Sequence, residues 1–240
     1  MDTTSYVALS RQIALQRAMG VVANNLANAN TTAFKAEAML FETVLERAGE
    51  PGRLAFVQDV ATVHDPSDGP LQPTGGPLDL AVQGPGFLTV ATPEGERYTR
   101  AGRLERNARG ELVTVAGHAL LDEGGAPIVL PPGEPAPAIA ADGTVAGRGG
   151  PIARIRLVRF ADPHRLRPEG GGLWSSDQPP IPGSPGAIVQ GALEGSNVNA
   201  VLELTRLIEV TRAFEGTQKM LETHHELARR AVERLAELAA

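Results

Sequence analysis

The 240-residue chain has no cysteine, which excludes both disulfides and thiolate metal sites. Aromatic residues make up only 4 %, with one tryptophan, Trp174. Positive charge is in deficit: 22 Lys and Arg stand against 28 Asp and Glu, so the net charge of -6 provides no basic surface for nucleic acid. No apolar run approaches the ~20 residues of a membrane helix, and membrane insertion is not expected. Met1-Asp2-Thr3-Thr4-Ser5 lacks the basic stretch and apolar core of a secretory signal. Taken alone, these absences suggest a cytoplasmic protein. The length is sufficient for one large domain or two small ones, with a real core.

The most telling absences are positional. All 19 prolines lie between Pro51 and Pro185, and of 27 glycines only Gly20 and Gly216 fall outside Gly49 to Gly195. Both ends are therefore free to be long helices, and the middle is not. An N-terminal helix is expected from about Ser5 to Ala27. Tyr6, Leu9, Ile13, Gly20 and Ala23 form one apolar stripe on it, and Leu15, Met19, Val22 and Leu26 form a second. Two adjacent stripes require more than one partner helix. A C-terminal helix is expected from about Asn199. Leu207, Val210, Phe214, Thr217, Leu221, His224, Ala228, Ala231, Leu235 and Leu238 follow steps of three and four, the spacing of a coiled-coil seam. Val201, Leu204, Ile208 and Thr211 begin another stripe. At ~60 Å, such a helix is too long to be buried in a compact domain of this size.

The middle reads as short strands between turns. Candidates are 78–82, 87–91, 96–100, 112–115, 128–130, 154–160 and 188–191, separated by turn formers such as Gly84-Pro85-Gly86 and Asp122-Glu123-Gly124-Gly125. The expected fold class is α+β, with terminal helices forming a coiled-coil-like domain around an inserted β-rich domain. The boundaries are 1–36 for the first helix, 37–75 for an extended connector, 76–177 for the β-rich domain, 178–195 for a return connector and 196–240 for the second helix.

Asparagine is concentrated at the end of the first helix, at Asn24, Asn25, Asn28 and Asn30. It is a mediocre helix former because its amide competes for backbone hydrogen bonds. Asn24 and Asn28 are four apart and share a face. Their carboxamides are expected to meet another chain or segment in an assembled state, unsatisfied in the free chain, with a frayed helix end as the alternative. Asn24, Asn25 and Asn28 would then fix register, as single buried polar residues do in coiled coils.

Motifs for chemistry are missing. His224 and His225 are adjacent on a helix and diverge by about 100°, whereas a helical zinc pair wants i,i+4 spacing. Gly84-Pro85-Gly86 is a hairpin turn without the third glycine of a dinucleotide site. Arg97, Arg100, Arg103, Arg106 and Arg109 recur every three residues between turns. A solvated β surface explains them, with a polyanion-binding patch, such as one contacting cell-wall polymer, as the sharper alternative. No catalytic residue, cofactor or metal is assigned.

Ala23-Asn24-Asn25-Leu26-Ala27-Asn28, with Asn30-Thr31 and Phe34-Lys35, resembles the N-terminal signature of flagellar basal-body rod and hook proteins. Gly76 to Leu88, Tyr98-Thr99-Arg100-Ala101-Gly102-Arg103-Leu104 and Gly110-Glu111-Leu112-Val113-Thr114 resemble the family's β segments. Gln190 to Asn199 resembles its C-terminal signature. One departure is Ala33, where the family carries glycine; without glycine a left-handed backbone is not expected there. The run Arg212 to Met220 is similar to the proximal-rod type, with a distal-rod or hook-type protein as the alternative.

The resemblance implies a structural subunit, not an enzyme. It implies export by the flagellar type III apparatus without a cleaved signal, placement in the periplasmic rod, and partners that are other rod subunits and further copies in a tubular, torque-transmitting assembly. The interface would use Asn24, Asn25, Leu26, Asn28, Asn30, Leu207, Val210, Phe214, Leu221 and Leu235. A reading of another class, a carbohydrate-binding or hydrolytic β-domain with dimerising helices, would place the unusual residues in a β-domain pocket instead.

Overall fold

The computed structural model describes residues 3–47, 53–134, 136–183 and 186–238, and within them the side chains other than those at 3–5, 41–47, 53–60, 228, 231–232 and 235–238. The fold class is α+β, two long helices with antiparallel strands. The chain divides into two compact units. One contains Met1–Ala27, Glu37–His64 and Asn199–Ala240; the other contains Asn28–Ala36 and Asp65–Val198.

In the first unit, α1 (Thr3–Ala27) and α2 (Ala200–Leu238) pack against each other. Asn199 starts α2 because its Oδ1 accepts from the backbone N–H groups of Val201 and Leu202 at 3.1 and 3.2 Å. The helices are antiparallel: Asn25 reaches Glu203, while Thr211 meets Met19 Sδ at 3.8 Å. On α2, Leu207, Val210, Phe214, Leu221 and His224 are half-buried and Thr217 is buried, on the face expected to form a seam. The seam positions Ala228, Ala231, Leu235 and Leu238 lie outside the described side chains. On α1 the sheltered stripe is Leu15, Met19, Val22 and Leu26, whereas Tyr6, Leu9, Ile13, Gly20 and Ala23 are exposed.

The stretch expected to be an extended connector differs. β1 (Glu37–Arg47) and β2 (Arg53–His64) form an antiparallel ribbon with Glu37 opposite His64 and Arg47 opposite Arg53, bulged between Leu40 and Phe41. Both strands pack along α1. The β-branched residues Thr43, Val44, Val57, Val60, Thr62 and Val63 favour this conformation, and the helix supplies the third layer that a two-stranded ribbon needs.

The β unit is also larger than 76–177, because it takes in 28–36, 65–75 and 178–198. Its main sheet orders segments 167–170, 173–175, 95–99, 87–92, 119–120, 112–114 and 104–106, all antiparallel. The single strand expected over 154–160 is broken. Gly150–Arg154 pairs with Thr144–Gly147, while Leu157–Arg159 pairs with Phe87–Thr92. Two cores fill the unit. One is aliphatic, around Leu80, Leu88, Leu112, Leu120 and Ile155; the other is aromatic, with Tyr98, Phe160 and Trp174.

Ala33 overturns an expectation. Its φ is +57°, a left-handed backbone at a residue other than glycine. The conformation costs roughly 1–2 kcal/mol. It is held by two hydrogen bonds, Ala33 N to Glu194 O at 2.8 Å and Phe34 N to Thr31 O at 3.2 Å.

Candidate functional site

The asparagines do different work from one another. Asn25 is 1 % exposed. Its Oδ1 accepts from the Glu37 N–H at 2.8 Å, and its Nδ2 donates to Glu37 O at 2.8 Å and to Glu203 Oε2 at 3.2 Å. Arg206 donates to the other Glu203 oxygen at 2.5 Å. One amide therefore joins the last turn of α1, the start of β1 and the first turn of α2. Asn25 is a buried intramolecular tie and cannot be an amide held out to a neighbouring subunit. The sequence suggested otherwise because local spacing does not reveal that β1 returns to the helix end. Asn28 Oδ1 accepts from Thr31 Oγ1 at 3.1 Å, and Thr31 N donates to Asn28 O at 3.0 Å, so Asn28 closes a turn and is not unsatisfied in the free chain. Asn24 and Asn30 are exposed and Leu26 is half-buried.

Within the β unit a second buried constellation forms around Glu194, whose side chain is 0 % exposed. Its Oε1 accepts from Lys35 Nζ at 2.7 Å and Gly69 N at 3.0 Å, and its Oε2 accepts from Arg100 Nε at 2.7 Å. Lys35 also donates to Ser67 O at 2.5 Å. Burial pushes the Lys35 ammonium below its ordinary pKa, and the facing Glu194 carboxylate opposes that shift. Arg100 donates to Asp68 Oδ1, Val82 O, Gly84 O and Gly86 O at 2.8–3.2 Å, which fills the guanidinium. The four charges sum to zero, and every buried one has partners, as burial requires.

Asn197 completes the cluster. Its Oδ1 accepts from Ala36 N at 2.7 Å, and its Nδ2 donates to Asp65 O and Ser67 O at 3.1 and 3.2 Å. Glycine is required at position 69, where a Cβ would lie 2.0 Å from the Gly195 carbonyl oxygen. Lys35, Arg100 and Glu194 lie in three separate motifs of the sequence, and nothing in their spacing shows that they converge. The available signal was a charged residue set among apolar and glycine positions in each of three separate motifs.

Four of the five arginines in the series are engaged within the chain, and Arg103 is exposed. Arg97 pairs with Glu94 and Glu169, Arg100 is buried, Arg106 donates to the Leu130, Pro131 and Glu134 carbonyls, and Arg109 pairs with Glu111. His225 is exposed beside half-buried His224, and among the described residues no group of three His, Asp or Glu could hold a metal. No described helix is long and apolar enough to cross a membrane.

Asn25, Lys35, Arg100, Glu194, Asn197 and Glu203 all fall within known family regions. Residues 6–35 match the family described as "Flagella basal body rod protein", 81–147 the "Flagellar hook protein FlgE/F/G D1 domain", and 189–234 the "Flagellar basal body rod FlgEFG protein C-terminal". Flagellar basal-body rod protein FlgF of Caulobacter vibrioides is 41 % identical over 244 residues, covering 99 % of this chain and 100 % of that protein. The chain belongs to the flagellar basal-body rod protein family. FlgF of Mesorhizobium japonicum is 40 % identical over 225 residues, with 92 % of each chain covered. FlgG of Agrobacterium fabrum is 32 % identical over 255 residues, covering 92 % of this chain and 95 % of that protein. The likeness to FlgF thus exceeds that to this FlgG. Members of the rod family are structural proteins and not enzymes.

Proposed function

We propose that this chain is a FlgF-type structural subunit of the flagellar basal-body rod, and that its terminal helices form the assembly domain. The observation that carries the reading is a doubled apolar surface. α1 and α2 already shelter one stripe each, yet each carries another in solvent. Tyr6, Leu9 and Ile13 on α1 are 53 %, 49 % and 44 % exposed; Val201, Leu204 and Ile208 on α2 are 74 %, 50 % and 48 % exposed. Apolar stripes of this kind mark surfaces for association, and each large side chain buried contributes roughly 1.5–3 kcal/mol.

In this reading the exposed α1 stripe and the length of α2 beyond α1 meet helices of neighbouring subunits in a coiled-coil-like packing around an export channel, with the β-rich unit inserted in the helical domain. The rod family supports other rod subunits as partners. A periplasmic, torque-transmitting, proximal position and export by the type III apparatus follow from the same reading. Lengthwise geometry agrees with it. The 39 residues of α2 span ~58 Å and the 25 of α1 only ~37 Å. Part of α2 is therefore left for a neighbour.

The test replaces the chromosomal copy with the double variant Leu9→Glu, Ile13→Glu. The expected result is a folded, helical chain, incomplete basal bodies and no swimming. Complete rods and normal swimming would overturn the assignment of the α1 stripe to assembly.

A further inference from the structure

We infer that a cleft in the β unit receives the Leu204–Ile208 face of α2 from a second copy of the chain, with Arg159 at the cleft edge paired to that copy's Glu209. The cleft holds about 270 Å³ and is walled by Pro85, Phe87, Phe160 and Pro163. That volume is ample for aliphatic side chains the size of Leu204 and Ile208. Proline walls and packed rings, Phe87 against Phe160 at 5.8 Å, are already in place, so little ordering cost remains for binding.

The charge at the cleft decides the occupant. Arg100 lines it too, but its donors are filled by Glu194, Asp68 and three carbonyls. Asp68 is tied in turn by Arg100 and by the Gly84 N–H at 2.9 Å. Arg159 is exposed and has no partner among the described residues. The unspent charge is therefore positive and lies beside an apolar hole. An exposed apolar side chain with an unpaired carboxylate next to it is the complement.

Only one of the two exposed stripes offers that. The sequence of α1 contains no acidic residue and carries Arg11 and Arg17, so its Tyr6–Ile13 stripe is the wrong sign. On α2, Leu204 and Ile208 are four apart and exposed, and Glu209 beside them is exposed without a partner among the described residues. The inference takes from the proposed function only that copies of the chain meet.

The absence of cysteine gives a clean background for cross-linking. Full-length Pro163→Cys and full-length Thr205→Cys chains are mixed under oxidising conditions, with Gln218→Cys as the control in place of Thr205→Cys. The expected result is a disulfide heterodimer with Thr205→Cys and little with Gln218→Cys. Adding Arg159→Glu to the first chain should cut its yield roughly tenfold, and adding Glu209→Arg to the second should restore it. Absence of the heterodimer, equal yield with Gln218→Cys, or an indifferent response to charge reversal would each overturn the inference. The rod reading is scored separately, by the presence of the chain in purified basal bodies.

Discussion

At the scale of single residues, the fold depends on two buried polar side chains that each hold three separate segments. Glu194 faces two buried cations, and removing one partner from such a group costs about 3–5 kcal/mol. Glu194→Gln keeps the shape and deletes the charge that both Lys35 and Arg100 face, so it should lower the thermal midpoint of the full chain by roughly 10 °C. Lys35→Met should cost less, because the carboxylate keeps Arg100 and the Gly69 N–H. Equal midpoints for Glu194→Gln and the parent would show that the cluster is not an energetic centre. Asn25 gives a second test by calorimetry of the free chain. Asn25→Ala leaves both backbone groups of Glu37 unpaired, at about 1–3 kcal/mol each. Asn25→Asp should be worse, since it places a carboxylate against Glu203 and the Glu37 carbonyl. An amide serving only a subunit interface would leave the free chain as stable as before. Ala33 shows where residue-level reading stops. Its missing glycine argued against a left-handed turn, but one tertiary hydrogen bond to the Glu194 carbonyl and one local bond to Thr31 hold it there.

At the scale of elements, period was a reliable guide and partnership was not. The proline-free ends and three-and-four spacing located α1 and α2 within a few residues, and the spacing over Leu207–His224 marked the sheltered face of α2. The ribbon of β1 and β2 is not legible in the sequence because its irregular apolar pattern carries no clean alternation, and a bulge breaks its register. The expected strand over 154–160 alternated as a strand should, but pattern alone cannot say that its two halves join different sheets. The sheltered face of α2 carries a prediction of its own. Leu221 is half-buried, and Leu221→Asp should reduce helicity and stability by roughly 1–3 kcal/mol. Leu227 is 59 % exposed, so Leu227→Asp should stay within about 0.5 kcal/mol in the free chain. Circular dichroism melts of both variants decide the point, and similar losses in the two would dissolve the distinction between the faces.

At the scale of the whole molecule, the sequence divides at composition boundaries while the structure divides where hydrogen bonds close. Residues 28–36 follow a helix without a break in composition, yet they belong to the β unit. Lys35 meets Glu194, the Asp65 N–H donates to Ala36 O at 2.8 Å, and Asn197 ties Ala36 to the 65–67 segment. The chain crosses the boundary of this unit at 28, 36, 65 and 198, and next to three of those crossings Ala36, Asp65 and Asn197 are bonded to one another inside it. This partition changes which fragment should fold best. A piece spanning 37–195 contains every strand suggested by the sequence, but it lacks Lys35 and Asn197 and leaves Glu194 with one cation fewer. A piece spanning 28–198 keeps the entire cluster. Both should give β-type circular dichroism, because the two apolar cores lie between residues 78 and 188 and are complete in each. The longer piece should melt at least 10 °C higher, a difference set by the roughly 3–5 kcal/mol of a broken buried ion pair. In the 28–198 piece, Lys35→Met should erase most of that gap. Coincident melting curves for the two fragments would mean that residues 28–36 are an appendage of the β unit, and that the buried cluster forms only after the core is already stable.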